Sequence, residues 1–280
     1  MTYMRWVHSD PGVTEWLGGI EPLWTRLDPR GLLALCESPQ RTGAAVRLAT
    51  DLSKEEVALS WMATNVMRLV RFATAASGLK LTATGNLARS VVIDLRNELE
   101  WQDDRVAMTF EVSKVVNEAD LSPLHFLRLT AQEAGLLRKL RGKLIVTKQG
   151  KALLDHHSPA LLATLFQAAF WRLNLGYFDR AAHPSWPQSH IGIVLWSLAS
   201  AARDWDPGNR LVRLCTVPTS EIIAFPALVR AAFHWRVLDP LVQFGLIERR
   251  ERGTSPAFRE YEFRKSPLFD RLLSFSPPSN

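Results

Sequence analysis

The spacing of apolar residues predicts a chain of helices separated by short strands. The first clear helix begins at Ser53, where Ser53-Lys54-Glu55-Glu56 has the pattern of a capping box. An apolar stripe at helical spacing continues to about Ala76, and Gly78 is typical of the residue that ends a helix. We therefore expect one long helix over 53–76.

Short strands and helices alternate after this helix. The predicted elements are a strand at 79–81, a helix at 86–99, a polar connector at 100–121, a helix at 122–134, a strand at 136–140, a basic turn at 141–143, a strand at 144–146 and a short helix to Leu154. The helix at 122–134 begins with Ser122-Pro123, a common helix start, and stops at Gly135. This order is that of a winged helix, and the agreement among separate local signals favours it.

The same order recurs with weaker signals in the second half of the chain. The predicted elements are a helix at 188–204, a turn at 206–209, a strand at 211–217, a helix at 220–237 that Pro226 can divide, a helix at 239–245, a strand at 246–250, a loop at 251–257, a return strand at 259–264 and a last helix from Ser266. Ala134-Gly135-Leu136-Leu137 resembles Phe244-Gly245-Leu246-Ile247, since each ends a helix at a glycine and begins a buried strand. This echo indicates a duplication.

The predicted fold class is therefore mostly α with small β-hairpins (α+β), built as tandem winged-helix units joined by a long helix. The predicted domains are an irregular or helical N-terminal extension at 1–52, a first winged-helix unit at 53–157, a connecting helix and linker at 158–187, a winged-helix-like second unit at 188–275 and a tail at 276–280. We expect Trp6, Trp16 and Trp24 to pack the extension onto a folded body.

Residues 122–154 resemble the last helix and wing of winged-helix regulators of the multiple-antibiotic-resistance repressor type. The resemblance rests on a helix that ends in Gly135-Leu136-Leu137, on the basic residues after it, and on a Thr147-x-x-Gly150 return. The phrase Leu81-Thr82-Ala83-Thr84-Gly85-Asn86-Leu87 also resembles one in a family of uncharacterised bacterial proteins, some linked to plasmids. The connector at 100–121 is long for this fold, and the helix at 122–134 is unusually apolar for a helix that reads DNA.

Composition places the chain among ordinary globular proteins. It has 280 residues, of which 47% are hydrophobic and 22% charged, so about two domains with real cores are expected. The net charge of +6 permits an acidic partner without requiring one. Cys36 and Cys215 lie far apart and predict no disulfide framework, which favours the cytoplasm. No signal peptide is visible at 1–10, and the apolar stretch at 161–178 is interrupted by polar residues, so we expect no membrane span.

A cluster of positive charge predicts nucleic-acid binding. Between Leu136 and Leu154 there are six basic residues and no acidic one, namely Arg138, Lys139, Arg141, Lys143, Lys148 and Lys151. Lys and Arg on a projecting hairpin can neutralise phosphates, and the preceding helix would read bases in the major groove. We expect His125, Arg128 and Gln132 to face outward on that helix. The plain alternative is a solvated hairpin that keeps the protein in solution.

The second hairpin differs from the first in charge. Its six basic residues alternate with acidic ones, namely Glu248, Glu251, Glu260 and Glu262. Opposite charges on adjacent strands often pair. This hairpin is therefore expected to serve structure or protein contact.

No motif for catalysis or for metal binding is present. Adjacent residues on a helix point in different directions, so His156 and His157 are poor ligands for one ion, and His183 and His190 lack partners at ligand spacing. Nucleophile and phosphate-loop motifs are absent. We predict no catalytic residue, metal or cofactor, and no enzyme.

Two hypotheses follow from these observations. The first is a non-enzymatic winged-helix protein that binds double-stranded DNA, as a regulator or a mobile-element accessory protein. The second is a protein-interaction scaffold in a larger bacterial assembly, favoured by the apolar helix at 122–134, the mixed second hairpin and the 10 Trp residues. The aromatic residues of the connecting helix would pack the two units together or, if exposed, form a homodimer interface.

Overall fold

The computed structural model describes residues 11–102, 105–156, 158–178, 186–252 and 260–278. The fold is mostly helical with small antiparallel sheets, which confirms the predicted class of mostly α with small β-hairpins (α+β). The described α-helices are α1 (Pro11–Leu17), α2 (Pro29–Cys36), α3 (Lys54–Ala58), α4 (Trp61–Ala75), α5 (Arg89–Glu98), α6 (Arg105–Val112), α7 (Ser122–Glu133), α8 (Lys148–Asp155), α9 (Leu161–Gln167), α10 (Ile191–Ala201), α11 (Gly208–Cys215), α12 (Ser220–Ala224), α13 (Pro226–Phe233), α14 (Asp239–Gln243) and α15 (Pro267–Leu272). The described strands are β1 (Val46–Leu48), β2 (Leu79–Lys80), β3 (Leu137–Leu140), β4 (Lys143–Val146), β5 (Asp206–Pro207), β6 (Ile247–Arg252), β7 (Glu260–Lys265) and β8 (Leu273–Phe275).

Some of the predictions concern residues outside these ranges. They are the packing of Trp6, the roles of His157 and His183, and most of the linker and the second-hairpin loop. Within the described residues, no helix has the combined length and apolarity that crossing a membrane requires.

The chain divides into a central unit, Thr50–Leu173, and a flanking unit, Met1–Ala49 with Asn174–Asn280. This division differs from the predicted domains at both ends. The N-terminal region is an integral part of the flanking unit, because β1 pairs with β8 and α2 packs on α10. Trp16 and Trp24 are buried there. The helix after Ser158 belongs to the central unit instead of joining the two units.

The central unit begins with the predicted capping box. Ser53 accepts a hydrogen bond from the Glu56 amide at 3.2 Å, and the Glu56 carboxylate accepts one from the Ser53 amide at 2.7 Å. The expected single helix is wrong, however, because α3 ends at Ala58 and α4 starts after Ser60. Ser60 is a second N-cap, since it is buried and its hydroxyl accepts from the Ala63 amide at 3.2 Å.

A three-stranded antiparallel sheet in the order β2-β4-β3 packs against α4. The hairpin turns at Arg141 and Gly142, whose φ values of 48° and 73° are those of a two-residue type I′ turn. The polar connector at 100–121 contains α6 and a short 3₁₀ turn at Glu118–Asp120.

The flanking unit has a sheet in the equivalent order, β5-β7-β6. The predicted strand at 211–217 is wrong, because 208–215 forms α11 and the paired strand is Asp206–Pro207. Leu211, Val212 and Cys215 are buried together at a spacing that fits one face of a helix. The predicted division at Pro226 is confirmed, since α12 ends at Ala224 and α13 starts at Pro226.

Both units use the same hydrogen bonds where a helix leads into the hairpin. Gly135 and Gly245 have φ values of 76° and 74°, a conformation that favours glycine. In the central unit the Thr147 hydroxyl donates to the Gly135 carbonyl at 2.7 Å. In the flanking unit the Ser266 hydroxyl donates to the Gly245 carbonyl at 2.6 Å. The residue after the last hairpin strand thus ties the end of the preceding helix to the sheet in each unit.

Gly192 permits the close approach of α10 to α2 in the flanking unit. A Cβ atom at this position would lie 1.9 Å from the Leu35 carbonyl oxygen. We therefore expect Gly192→Ala to lower the free energy of unfolding of the flanking unit by about 1–3 kcal/mol, the usual cost of overpacking. Urea denaturation followed by circular dichroism measures it. Ser200→Ala on the exposed side of α10 is the control and is expected to change stability by less than about 0.5 kcal/mol; equal stability of the two variants would contradict the packing argument.

Candidate nucleic-acid interface

The hairpin of the central unit presents its positive charges to solvent. With the first turn of α8, which follows the hairpin, it presents six exposed basic side chains, namely Arg138, Lys139, Arg141 and Lys143 on the hairpin and Lys148 and Lys151 on α8. Among the residues that the structure describes, none of the six takes part in an ion pair. Unpaired cations on a hairpin remain free to bind an anionic partner.

The strand register places two of these cations, Arg138 and Lys143, on the outer face of the sheet. Leu79 lies opposite Leu144, and both are buried on the inner face. Side chains alternate along a strand, so the next pair, Lys80 opposite Lys143, lies on the outer face. Arg138 occupies the same face across from Ile145. Like charges placed directly opposite each other reduce the stability of a sheet, so this arrangement does not serve folding.

Lys139 lies over the turn that precedes α5. A Cβ atom on Gly85 would be 2.5 Å from the Lys139 ammonium nitrogen, so glycine leaves room for this side chain. The exposed hydroxyls of Thr82 and Thr84 are 2.9 Å apart in the same turn. The segment that contains Thr82 and Thr84 is recognisable in the sequence, but only the folded sheet places this segment beside the hairpin.

The side chains predicted to read bases from α7 do not face outward. His125 and Arg128 were expected to face outward, but they are buried, with 7% and 1% of their surface exposed. Gln132 is half-buried and accepts a hydrogen bond from Arg128. The expectation was wrong because the connector at 100–121 supplies a buried partner that draws both side chains inward.

That partner is Glu118, which is fully buried. One carboxylate oxygen lies 2.6 Å from the Arg128 Nε and 2.6 Å from the His125 Nδ1. The other accepts a hydrogen bond from the Leu87 amide at 2.5 Å. Glu118 thereby joins the connector to α7 and to Leu87, which lies two residues before α5. A buried charge requires such partners, since an unpaired carboxylate in this place would be strongly destabilising.

The environment of Glu118 favours its ionised form. Burial raises the pKa of the carboxyl group, but the hydrogen bond with His125, the Arg128 charge and the Leu87 amide together hold that pKa below its usual value. Arg128 is therefore committed to a structural ion pair and is not available to a phosphate.

The hairpin of the flanking unit has the ion pairs that its sequence predicts. Arg250 lies 2.6 Å from Glu262, and Arg264 lies 2.5 Å from Glu248, each across the two strands. Much of its positive charge is neutralised internally. This confirms the expected pairing of opposite charges on adjacent strands.

The described histidines and cysteines do not form a metal centre. Within the described ranges, no group of three His, Cys, Asp or Glu side chains is arranged to hold a metal ion. Cys36 and Cys215 are free thiols, and burial raises the pKa of Cys215 well above its usual value.

A family match falls on the unit that carries the exposed hairpin. Residues 58–159 match the Y4jL N-terminal domain family. The uncharacterized protein y4jL of Sinorhizobium fredii (strain NBRC 101917 / NGR234) is 31% identical over 109 residues. That similarity covers 39% of this chain, and the chain spans about half (49%) of the length of this curated relative. No solved structure matches the chain.

Replacing Glu118 tests the buried cluster. We expect Glu118→Gln to lower the free energy of unfolding at pH 7 by about 3–5 kcal/mol, because Arg128 would remain buried without its counter-charge. A lowered carboxyl pKa stabilises the fold above the ordinary Glu value of about 4.3 and loses that contribution as the pH falls below it. The wild type should therefore lose more stability than the variant between pH 7 and pH 3.

Urea denaturation at several pH values measures both effects, with the exposed Glu98→Gln on α5 as control. Identical pH profiles for wild type and Glu118→Gln would show that Glu118 is not held ionised by its partners.

Proposed function

We propose that this protein is a non-enzymatic, winged-helix protein that binds double-stranded DNA through the basic hairpin of its central unit. The observation that carries the proposal is a set of six exposed basic side chains that form no ion pair in the described structure. No acidic residue lies among them in the sequence. Lys80, placed directly beside Lys143 by the strand register, extends the same charge over the outer face of the sheet.

The arrangement of the central unit supports the winged-helix interpretation. Helix α4 leads to β2, α5 follows, and α7 precedes the hairpin, whose last strand β4 inserts between β2 and β3. In such folds the hairpin projects as a wing that contacts the nucleic-acid backbone. The two-residue turn at Arg141-Gly142 is open, since nothing lies within 4 Å of a Cβ placed on Gly142.

The burial of α7 limits the kind of recognition. Its polar side chains His125 and Arg128 bind Glu118 and cannot reach base edges without breaking a buried ion pair. Phosphate contacts supply affinity but no sequence information. We therefore propose binding that is largely independent of base sequence, which favours the role of an accessory protein over that of a site-specific regulator.

Charge removal on the hairpin tests the proposal. In a variant with Arg138, Lys139, Arg141 and Lys143 all replaced by Gln, we expect affinity for a 30-base-pair duplex to fall by at least about tenfold at low salt. The slope of log affinity against log salt concentration should decrease by about 3 to 4, since each lost phosphate contact contributes about 0.9. Fluorescence anisotropy in a salt titration measures both quantities, and unrelated duplex sequences should bind within about threefold of one another.

The matched control removes four exposed basic residues elsewhere, Lys54, Arg71, Lys114 and Arg203, and so makes the same change in net charge. It should retain most of the affinity and of the salt slope. The proposal fails if wild-type protein shows no salt-sensitive affinity for any duplex, or if both quadruple variants lose affinity equally.

A second candidate function, the protein-interaction scaffold, has support from one specific observation. Met108 and Val112 lie four residues apart on α6, so they share a face, and they are 52% and 84% exposed. Exposed apolar residues grouped on one face are typical of protein contacts. If this face forms a homodimer, Val112→Asp should shift the protein from dimer to monomer in light scattering at micromolar concentration; a monomeric wild type would oppose self-association.

A further inference from the structure

The flanking unit contains a cavity of about 320 Å³ that the DNA proposal does not use. It lies where α11 begins, beside β7 and the π-helical turn His234–Leu238 that follows α13. Single π-helical turns are rare and often occur at functional sites. The volume is at the lower end of the range found for small-molecule sites.

Aromatic rings form one wall of this cavity. The His234 ring is near-parallel to the Tyr261 ring, with centroids 6.2 Å apart and planes at 23°, and it meets Phe263 edge-on at 5.9 Å. Phe263 is almost fully buried, whereas His234 and Tyr261 are half-buried and line the opening. Such a wall suits the flat face of an aromatic ligand.

An ion pair behind the wall fixes its geometry. The Asp239 carboxylate lies 3.5 Å from the His234 Nε2 and 3.2 Å from an Arg249 guanidinium nitrogen. Arg249 also lies over the Tyr261 ring, 5.0 Å from its centroid. Asp239 and Arg249, which do not line the cavity, therefore help to hold both rings in place.

Next to the aromatic wall, the lining of the cavity contains groups that attract negative charge. Arg230 lines it, one helical turn before His234, and forms no ion pair with any described residue. Helix α11 starts there at Gly208, and its N-cap residue Pro207 has no side-chain hydrogen bond to the first turn. An uncapped helix start and a free guanidinium both attract an anion. Glu260, also in the lining, would accept from a hydroxyl or amino group of the ligand.

Gly208 brings the two parts together. A Cβ atom on Gly208 would lie 3.2 Å from Phe263, which is closer than ordinary packing allows. Because this residue has no side chain, the start of α11 lies directly against the aromatic wall. The aromatic stacking surface and the groups that attract an anion are thus adjacent.

We propose that this cavity binds a small molecule that combines a planar aromatic ring with one anionic group, as a nucleoside monophosphate does. The ring stacks on Tyr261 and His234, and the anionic group lies between Arg230 and the first turn of α11. This site does not depend on DNA binding by the central unit.

Calorimetric titration of the full-length protein with AMP tests the proposal, with adenosine and inorganic phosphate as probes that each lack one of the two groups. AMP should bind saturably and at least about tenfold more tightly than either fragment. Arg230→Met should remove the preference for AMP over adenosine, whereas Tyr261→Leu should weaken AMP and adenosine alike.

Arg213→Met is the matched control, because Arg213 lines a neighbouring cavity together with Arg230 but does not line this one. It should bind AMP like the wild type, and circular dichroism verifies the fold of each variant. The proposal is overturned if AMP does not bind, if phosphate binds as tightly as AMP, or if Arg213→Met loses as much affinity as Arg230→Met.

Discussion

The buried carboxylate of Glu118 determines how the central unit is assembled. It accepts hydrogen bonds from the side chain of Arg128 and from the amide of Leu87, and it lies within hydrogen-bonding distance of the His125 ring. Three segments therefore depend on one charge, and the one that contains Leu87 lies 31 residues from Glu118 in the sequence. Removing water from a carboxylate costs several kcal/mol, on the order of the whole stability of a domain, so the site is stable only with all of its partners in place.

This cluster also decides which surface can meet a partner. Because α7 turns its polar side chains toward Glu118, its exposed face offers little hydrogen-bonding capacity. The available charge lies instead on the hairpin and the outer face of the sheet. Lys80 and Lys143 repel each other in the isolated protein, and a polyanion would relieve that repulsion. The proposed binding mode thus follows from a structural ion pair as much as from the exposed cations.

The two units share a local design but differ in what surrounds it. In each, a glycine ends a helix and a hydroxyl after the hairpin bonds to that glycine's carbonyl group. In the central unit the hairpin charges are all positive and unpaired among the described residues, while in the flanking unit Glu248 and Glu262 neutralise arginines across the strands. The flanking unit has instead a cavity with an aromatic wall, next to a π-helical turn. The two units therefore share the same junction between helix and hairpin, but we propose a different kind of binding for each.

The sequence by itself determined the features that depend on near neighbours. The capping box at Ser53, the glycine stops at Gly135 and Gly245, the break at Pro226 and the acid-free hairpin are all local. Only the tertiary structure decided which residues face inward. Ser60 interrupts a continuous apolar stripe, α11 replaces an expected strand, and the N-terminal region joins the C-terminal half through β1 and β8. His125 and Arg128 lie at positions that local periodicity leaves polar, but a carboxylate from the connector buries them. The spacing of apolar residues shows which face of each segment is polar and which is apolar. It does not show which polar residues of different segments will form a buried ion pair.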